Sequence, residues 1–241
     1  LYGNLGADTV YGGTEEDRIH GGGGNDRLYG GPGQDSLFGG YGRDILRGED
    51  GNDFLFGGSG SDTLFGGAGG DTLRGGRYRD ALHEGDGSDV LIGGLGNDRL
   101  FGDHGNDSLF GNSGNDILYG GSGNDRLQGG VGSDVLHGGR GSDVFVFASI
   151  LDSRPDHLCD VIRDFSRPDD TIDLSHIDAN SSASRNQDLW LSMSGPAAHA
   201  VWLKENANGT LVFADVDGDR QPDFSIFLQN VNGLTIENFV F

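Results

Sequence analysis

The sequence predicts an all-β fold, a flattened two-sheet solenoid of nonapeptide repeats followed by a β-sandwich-like cap, and three regularities carry that prediction. Across residues 3–146 one nine-residue unit, roughly G-G-x-G-x-D-x-L-x, repeats sixteen times without a slip in register. Its sixth position is Asp every time: Asp8, Asp17, Asp26, Asp35, Asp44, Asp53, Asp62, Asp71, Asp80, Asp89, Asp98, Asp107, Asp116, Asp125, Asp134 and Asp143. Its eighth is apolar every time, beginning with Val10, Ile19 and Leu28 and ending with Leu136 and Phe145.

Most units carry three glycines, each costing about 1 kcal/mol relative to Ala in a helix, so helix is excluded. One long strand fails too, because an odd period would turn the apolar residue to the opposite face at every repeat. What remains is a short strand, x-L-x, alternating with a glycine-rich turn. Two units then make one circuit, and like strands stack every eighteen residues. The eighth position points inward and its flanking positions point out, so the apolar residues form two facing stacks.

The same coil sorts the aspartates into two rows, one stepping from Asp8 to Asp134 and one from Asp17 to Asp143. Neighbours in a row lie about one strand spacing, ~4.8 Å, apart, and each like-charge pair costs roughly 1 kcal/mol even in water. The rows therefore demand cations. The oxygens on offer, with no Cys or His cluster at ligand spacing, suit Ca²⁺ rather than Zn²⁺ or copper. Seven gaps per row allow at most about fourteen ions, which would take the formal charge from −22 to about +6. One buried side chain per unit is too thin a core to order so glycine-rich a chain. Metal binding is then part of the folding free energy.

Composition points the same way. With 47 Gly, 34% apolar residues and 38 acidic against 16 basic side chains, the chain favours cations over nucleic acid or an anionic membrane. The single Cys159 forms no internal disulfide, and no apolar run approaches transmembrane length. No N-terminal export signal is recognisable. The chain begins inside the repeat and its one methionine is Met193, which leads us to expect a missing N-terminal effector domain.

The run Gly21-Gly22-Gly23-Gly24-Asn25-Asp26-Arg27-Leu28-Tyr29 and its neighbours resemble the RTX nonapeptide, known as hemolysin-type, over residues 3–146. The resemblance implies a parallel β-roll in which Asp carboxylates and turn carbonyls of stacked loops sandwich each Ca²⁺. Carried onto this sequence, the ligands are the repeat aspartates, with carbonyls of Gly22, Gly24, Gly40, Gly42, Gly58, Gly60, Gly94, Gly96, Gly114 and Gly123. Two units depart by replacing the fourth-position glycine, with Glu15 in one and with Tyr78, between Arg77 and Arg79, in the other. Both replacements resist positive φ. We expect a distorted site at Asp17 and a weak or empty one around Asp80.

The ninth position is often aromatic: Tyr11, Tyr29, Phe65, Phe101 and Tyr119 on one face, Phe38, Phe56 and Phe110 on the other. These stripes fit a docking or sugar-stacking platform. They fit equally a cross-strand ladder with β-propensity as its cause, which is the plainer reading.

Residues 147–241 read as a second, β-rich domain after the repeat domain of residues 1–146. Alternating runs fall at 160–165, 171–174, 189–193, 200–205, 210–214, 224–228 and 236–241, and Asn208-Gly209 marks a hairpin. The stretches 160–175 and 217–226 resemble the C-terminal domain of serralysin-type secreted metalloproteases, and the first also resembles the end of alginate-epimerase R-modules. That resemblance implies a cap with an uncleaved type I secretion signal, fitted loosely by Glu237-Asn238-Phe239-Val240-Phe241. Asp215, Asp217, Asp219 and Asp223 could form a further calcium loop or a solvated acidic turn; they lack the glycine and closing glutamate of an EF-hand.

No catalytic motif is present. His83-Glu84 is not followed by the second histidine of H-E-x-x-H, no G-x-S-x-G occurs, and the remaining histidines are scattered. We expect a non-enzymatic, secreted, extracellular module that folds on calcium and serves the type I secretion apparatus. The alternatives are a polysaccharide-binding or adhesin module, and the C-terminal part of a secreted metalloprotease or lipase. Arg18, Arg27, Arg47, Arg74, Arg99 and Arg126 are divided between the two faces, which disfavours a continuous polyanion-binding stripe.

Overall fold

A computed structural model describes residues 1–155, 159–177, 189–192 and 195–241. The expected strand at 189–193 ends on Met193, which lies outside the described residues, as does His157.

The chain is an all-β parallel solenoid of about eight turns. Successive strands alternate between an 11-stranded and a 13-stranded sheet, so each pairs in parallel with the strand one circuit on. The register follows the eighteen-residue period: Ile19 faces Leu37, Leu37 faces Leu55, and Leu82 faces Leu100. From Ile19 to Leu136 and Phe145 every eighth-position side chain is fully buried, giving the two facing apolar stacks.

The strands are longer than the x-L-x core the sequence suggests. Ser36–Tyr41, Phe54–Ser59 and Val90–Leu95 each run six residues, from the seventh position through both glycines to the third position of the next unit. Along them the eighth and first positions face inward, so leucine and glycine share the interior. The turn proper shrinks to positions four to six. Thr9–Tyr11 and Arg27–Tyr29 are cut to three residues. Here Glu15 does not take the left-handed backbone and Pro32 supplies no amide N–H to the ladder.

The strands beyond Val146 continue these same sheets. In one, Val144–Val146 is followed by Thr171–Asp173 and then Phe239–Val240, all parallel. In the other, Asp160–Ile162 pairs with Val135–Arg140 and with Phe224–Gln229, beyond which Gly209–Ala214 and Ala200–Asn206 run antiparallel. Phe147, Ile162, Ile172, Phe224, Leu228 and Phe239 join the leucine stacks in one core cluster. The hairpin turns at Ala207-Asn208, one residue before the Asn-Gly pair, with Gly209 already in the strand. The expected strand at 236–241 is reduced to Phe239–Val240, because Ile236–Asn238 forms a 3-10 turn closed by Thr235 and Asn238.

Candidate metal rows

The structure assembles all sixteen repeat aspartates into the two rows. Each one accepts, on Oδ1, the backbone N–H of the aspartate one circuit earlier, except Asp8 and Asp17, which begin the rows. Typical separations are 2.8 Å from Asp44 N to Asp62, 2.7 Å from Asp98 N to Asp116 and 2.9 Å from Asp107 N to Asp125. One carboxylate oxygen of each is therefore a structural acceptor that locks turn to turn.

The other oxygen has nothing. Oδ2 of every repeat aspartate except Asp17 is buried without a hydrogen-bond partner. A buried, unpaired carboxylate oxygen is costly, and a native interior holds few of them. Burial, reinforced in several cases by neighbouring aspartates, pushes Asp53, Asp98 and Asp143 up to about 6, Asp62, Asp71, Asp107 and Asp116 to about 7, and Asp80 and Asp134 to about 8. The backbone N–H donated to each opposes the rise without cancelling it.

The first-position glycines mark the room around these oxygens. A Cβ on Gly111 would lie 2.5 Å from Asp116 Oδ2 and 2.5 Å from the carbonyl of Gly129; one on Gly120 would lie 2.5 Å from Asp125 Oδ2 and 2.6 Å from the carbonyl of Gly138. Glycine is needed there for space beside a carboxylate, not for an unusual φ. The carbonyls expected as ligands stack differently. Those of Gly40 and Gly58 aim at the second-position glycine of the next circuit, and those of Gly24, Gly42, Gly96, Gly114 and Gly123 at the fourth-position one. Gly22 O takes the same place beneath Gly40, and that second-position column rises through Gly58, Gly76 and Gly94, while Gly60 stands in the fourth-position column above the carbonyl of Gly42. Rows of orphaned carboxylate oxygens amid backbone carbonyls, with no nitrogen or sulfur donor, fit a hard divalent cation such as Ca²⁺.

Two ligand candidates escaped the sequence. Asp160 Oδ1 accepts Asp134 N at 2.8 Å and Asp170 Oδ1 accepts Asp143 N at 3.0 Å, so each row has a ninth member beyond the repeat. Asp160 Oδ2 is orphaned like the others, and burial raises this carboxyl well above its ordinary range; Asp170 Oδ2 accepts Ser166 N. Both begin the D-x-apolar signature of the repeat, at Asp160-Val161-Ile162 and Asp170-Thr171-Ile172. Irregular spacing hid them. The third missed residue, Glu84, stands where the other units have their first glycine, and is buried.

The two irregular loops behave differently. Tyr78 does not resist positive φ: it sits at 77°, between Gly60 at 150° and Gly96 at 148°, with its ring in solvent. Asp80 keeps its contacts, accepting Asp62 N at 2.8 Å and donating its own N–H to Asp98 at 2.9 Å. Asp17 is only half-buried. In the acidic loop further on, Asp215 accepts the N–H groups of Gly218 and Arg220, Asp223 those of Val216 and Asp217, Asp217 that of Asp219, and Asp219 that of Gln221. Turn amides already occupy these carboxylates.

The outward aromatics form ladders. Phe65, His83, Phe101, Tyr119 and His137 stack face to face with centroids 4.5–5.2 Å apart, and the Arg47 guanidinium covers the free face of Phe65 at 4.2 Å. Tyr2, His20 and Phe38 do the same on the other sheet. Burial lowers His83 and His137 from their ordinary range, which keeps that ladder neutral near pH 7. Ring faces occupied by one another are not offered to a sugar, whereas Phe56 and Phe110 stand outside these stacks.

Fold and site together define a parallel β-roll held by rows of cation-seeking carboxylates. The sequence profile of the RTX calcium-binding nonapeptide repeat, in four copies, matches residues 2–37, 29–64, 38–73, 65–83, 85–118 and 110–145. The chain belongs to this family and is a calcium-binding β-roll. Among solved structures, the AlgE6R2 subunit of the Azotobacter vinelandii mannuronan C5-epimerase is similar at 26% identity and a TM-score of 0.42, over 65% of this chain and 91% of that one. The AlgE6R3 subunit of the same enzyme gives 26% and 0.34, over 72% and 79%. No curated protein matches the chain. No helix among the described residues is long and apolar enough to cross a membrane.

Proposed function

We propose that this chain is a non-catalytic module that stays unfolded where calcium is scarce, folds on extracellular Ca²⁺, and supports type I secretion and folding of a larger exoprotein. The carrying observation is the row of orphaned Oδ2 atoms in an otherwise hydrogen-bonded coil. Without cations those oxygens oppose the fold; with them they become its fastening. Asp8 to Asp143 and Asp160 supply the carboxylates, turn carbonyls complete the oxygen shells, and calcium supplies charge neutralisation between circuits. Extracellular calcium modules bind at roughly 10⁻⁴–10⁻³ M, which suits a switch thrown on export. In the folded chain Asn238 and Phe239 are buried and Phe239 pairs with Ile172, while Glu237 and Val240 are exposed, so the segment 237–241 as a whole is open to a secretion apparatus before folding and only in part after it.

Circular dichroism during a calcium titration tests the reading. We expect little β signal in excess chelator and a sigmoidal rise with Ca²⁺. A native β signal in chelator refutes it. Removing residues 237–241 should abolish type I export while leaving calcium-induced folding in place; unchanged export would locate the signal elsewhere.

A further inference from the structure

Glu84 is the one first-position side chain in the repeat. The strand Ala81–Asp86 carries it into the interior, where it is 2% exposed and both of its carboxylate oxygens lack a hydrogen-bond partner. It reaches back toward the preceding circuit: the point where a Cβ on Gly66 would stand lies 2.5 Å from Glu84 Oε2 and 2.5 Å from Asp71 Oδ2. One oxygen each from Asp71, Glu84 and Asp89 fall within 4.8 Å of one another. The Oδ2 atoms of both aspartates are orphaned as well, and no ion pair among the described residues reaches the group. The family match runs from 2 to 83 and resumes at 85, leaving this residue between its copies.

Elsewhere in the rows, circuits meet through one aspartate each and backbone carbonyls. Here a third carboxylate, buried and unpartnered, enters the same gap. The other three-carboxylate grouping among the described residues, Asp215, Asp217 and Asp219, is largely exposed and already accepts turn amides, so it makes no comparable demand for a cation.

We propose that Asp71, Glu84 and Asp89 form a three-carboxylate calcium site distinct from the repeat's two-carboxylate gaps, and that it is the tightest site in the roll. The proposal rests on the reading of the rows as calcium ligands and adds a ligand that the repeat does not contain. Calcium affinity in oxygen sites rises with the number of charged ligands. A third carboxylate also favours a trivalent ion such as Tb³⁺, whose charge it would balance.

Equilibrium calcium binding and Tb³⁺ luminescence on the full chain, with E84Q and E84G, test this. We expect the unmodified chain to bind one ion about tenfold or more tighter than the remainder. E84Q should lose that ion's advantage and spare the other sites. E84G restores the glycine of the other units, so it should fold in calcium with all sites in the weaker class and lose preferential Tb³⁺ uptake. A tight ion that persists in either variant, or its absence from the unmodified chain, overturns the proposal. So does an E84G chain that no longer folds in calcium, since Glu84 would then be a packing residue. An unmodified chain that binds no calcium at all would instead overturn the reading of the rows.

Discussion

Replacing Asp116 by Asn separates the two oxygens that the fold uses differently. Oδ1 accepts the N–H of Asp98 at 2.7 Å, while Oδ2 is buried and orphaned. Asn keeps the acceptor and removes the charge. Without calcium, and above about pH 8 where all three carboxyls are ionised, two like-charge contacts with Asp98 and Asp134 disappear, each worth about 1 kcal/mol at the permittivity of water and about 3.5 kcal/mol at an effective value near 20 for a ~4.8 Å spacing. The metal-free coil should therefore gain on the order of 2–7 kcal/mol. With calcium the sign reverses, because the two gaps flanking residue 116 lose a charged ligand and one or two ions with it. Asp116→Ala behaves otherwise: it strands the buried Asp98 N–H, costing about 1–3 kcal/mol with or without metal. Circular dichroism in chelator and equilibrium calcium counts read the difference. D116N should show at least the β signal of the unmodified chain in chelator, and fewer ions in calcium, while D116A, which loses the same charge and the acceptor for Asp98 N–H as well, should show less β signal than D116N in chelator. Equal ion counts for D116N and the unmodified chain would show that Oδ2 is no ligand, and the reasoning would fail.

Gly114→Ala places a Cβ 1.5 Å from the carbonyl of Gly96 at a φ of +136°; left-handed strain of about 1–2 kcal/mol and overpacking of about 1–3 kcal/mol should raise the calcium midpoint for folding, and an unchanged midpoint would mean the turns stack more loosely than described. The metal-free coil should respond to pH. Aspartates held at about 6 to 8 in the coil, against 3.8 ordinarily, favour it fully below about pH 4 and progressively less as pH rises through 6–8. In chelator the β signal should therefore grow as pH falls from 8 toward 4, and a signal that shrinks over that window contradicts it. Deleting residues 147–241 removes the Asp160 and Asp170 acceptors from Asp134 and Asp143 and uncovers the last leucine layer, so the truncated roll should need more calcium to fold; an unchanged titration curve would show that the end of the roll needs no template.

The repeat was legible because every observation that fixes it is periodic. Asp at position six and an apolar residue at position eight recur without exception, and the coil, the two stacks and the two rows all follow from the period. What escaped is aperiodic or depends on atoms the sequence does not display. Asp160 and Asp170 continue the rows across insertions that move the spacing from eighteen to 26 and 27 residues. Glu84 was hidden because a first-position glycine reads as a turn residue, whereas the structure puts it inside a strand, where the constraint is the space a neighbouring Oδ2 takes up. Tyr78 misled for the converse reason. A solvent-facing side chain at φ 77° leaves the stacking of its loop intact, so a broken sequence rule did not break the column.

Under the proposed calcium switch, the doubled use of the aspartates beyond Asp8 and Asp17 lets the roll be both cation-dependent and well ordered. Oδ1 fixes the spacing of successive circuits through a backbone N–H, a bond that does not depend on metal, and so each carboxylate is aimed before an ion arrives. Oδ2 is what that aiming leaves unpaired. An ion seated between two circuits fixes both, and each fixed circuit presents one half of the next gap, so binding free energy accumulates along the row rather than site by site. The lateral leucine stacks hold circuits together without choosing between metal-free and metal-bound spacing; the carboxylates make that choice. Under the proposed calcium switch a thin core is then an asset, since a thicker one would fold the chain before calcium could control it.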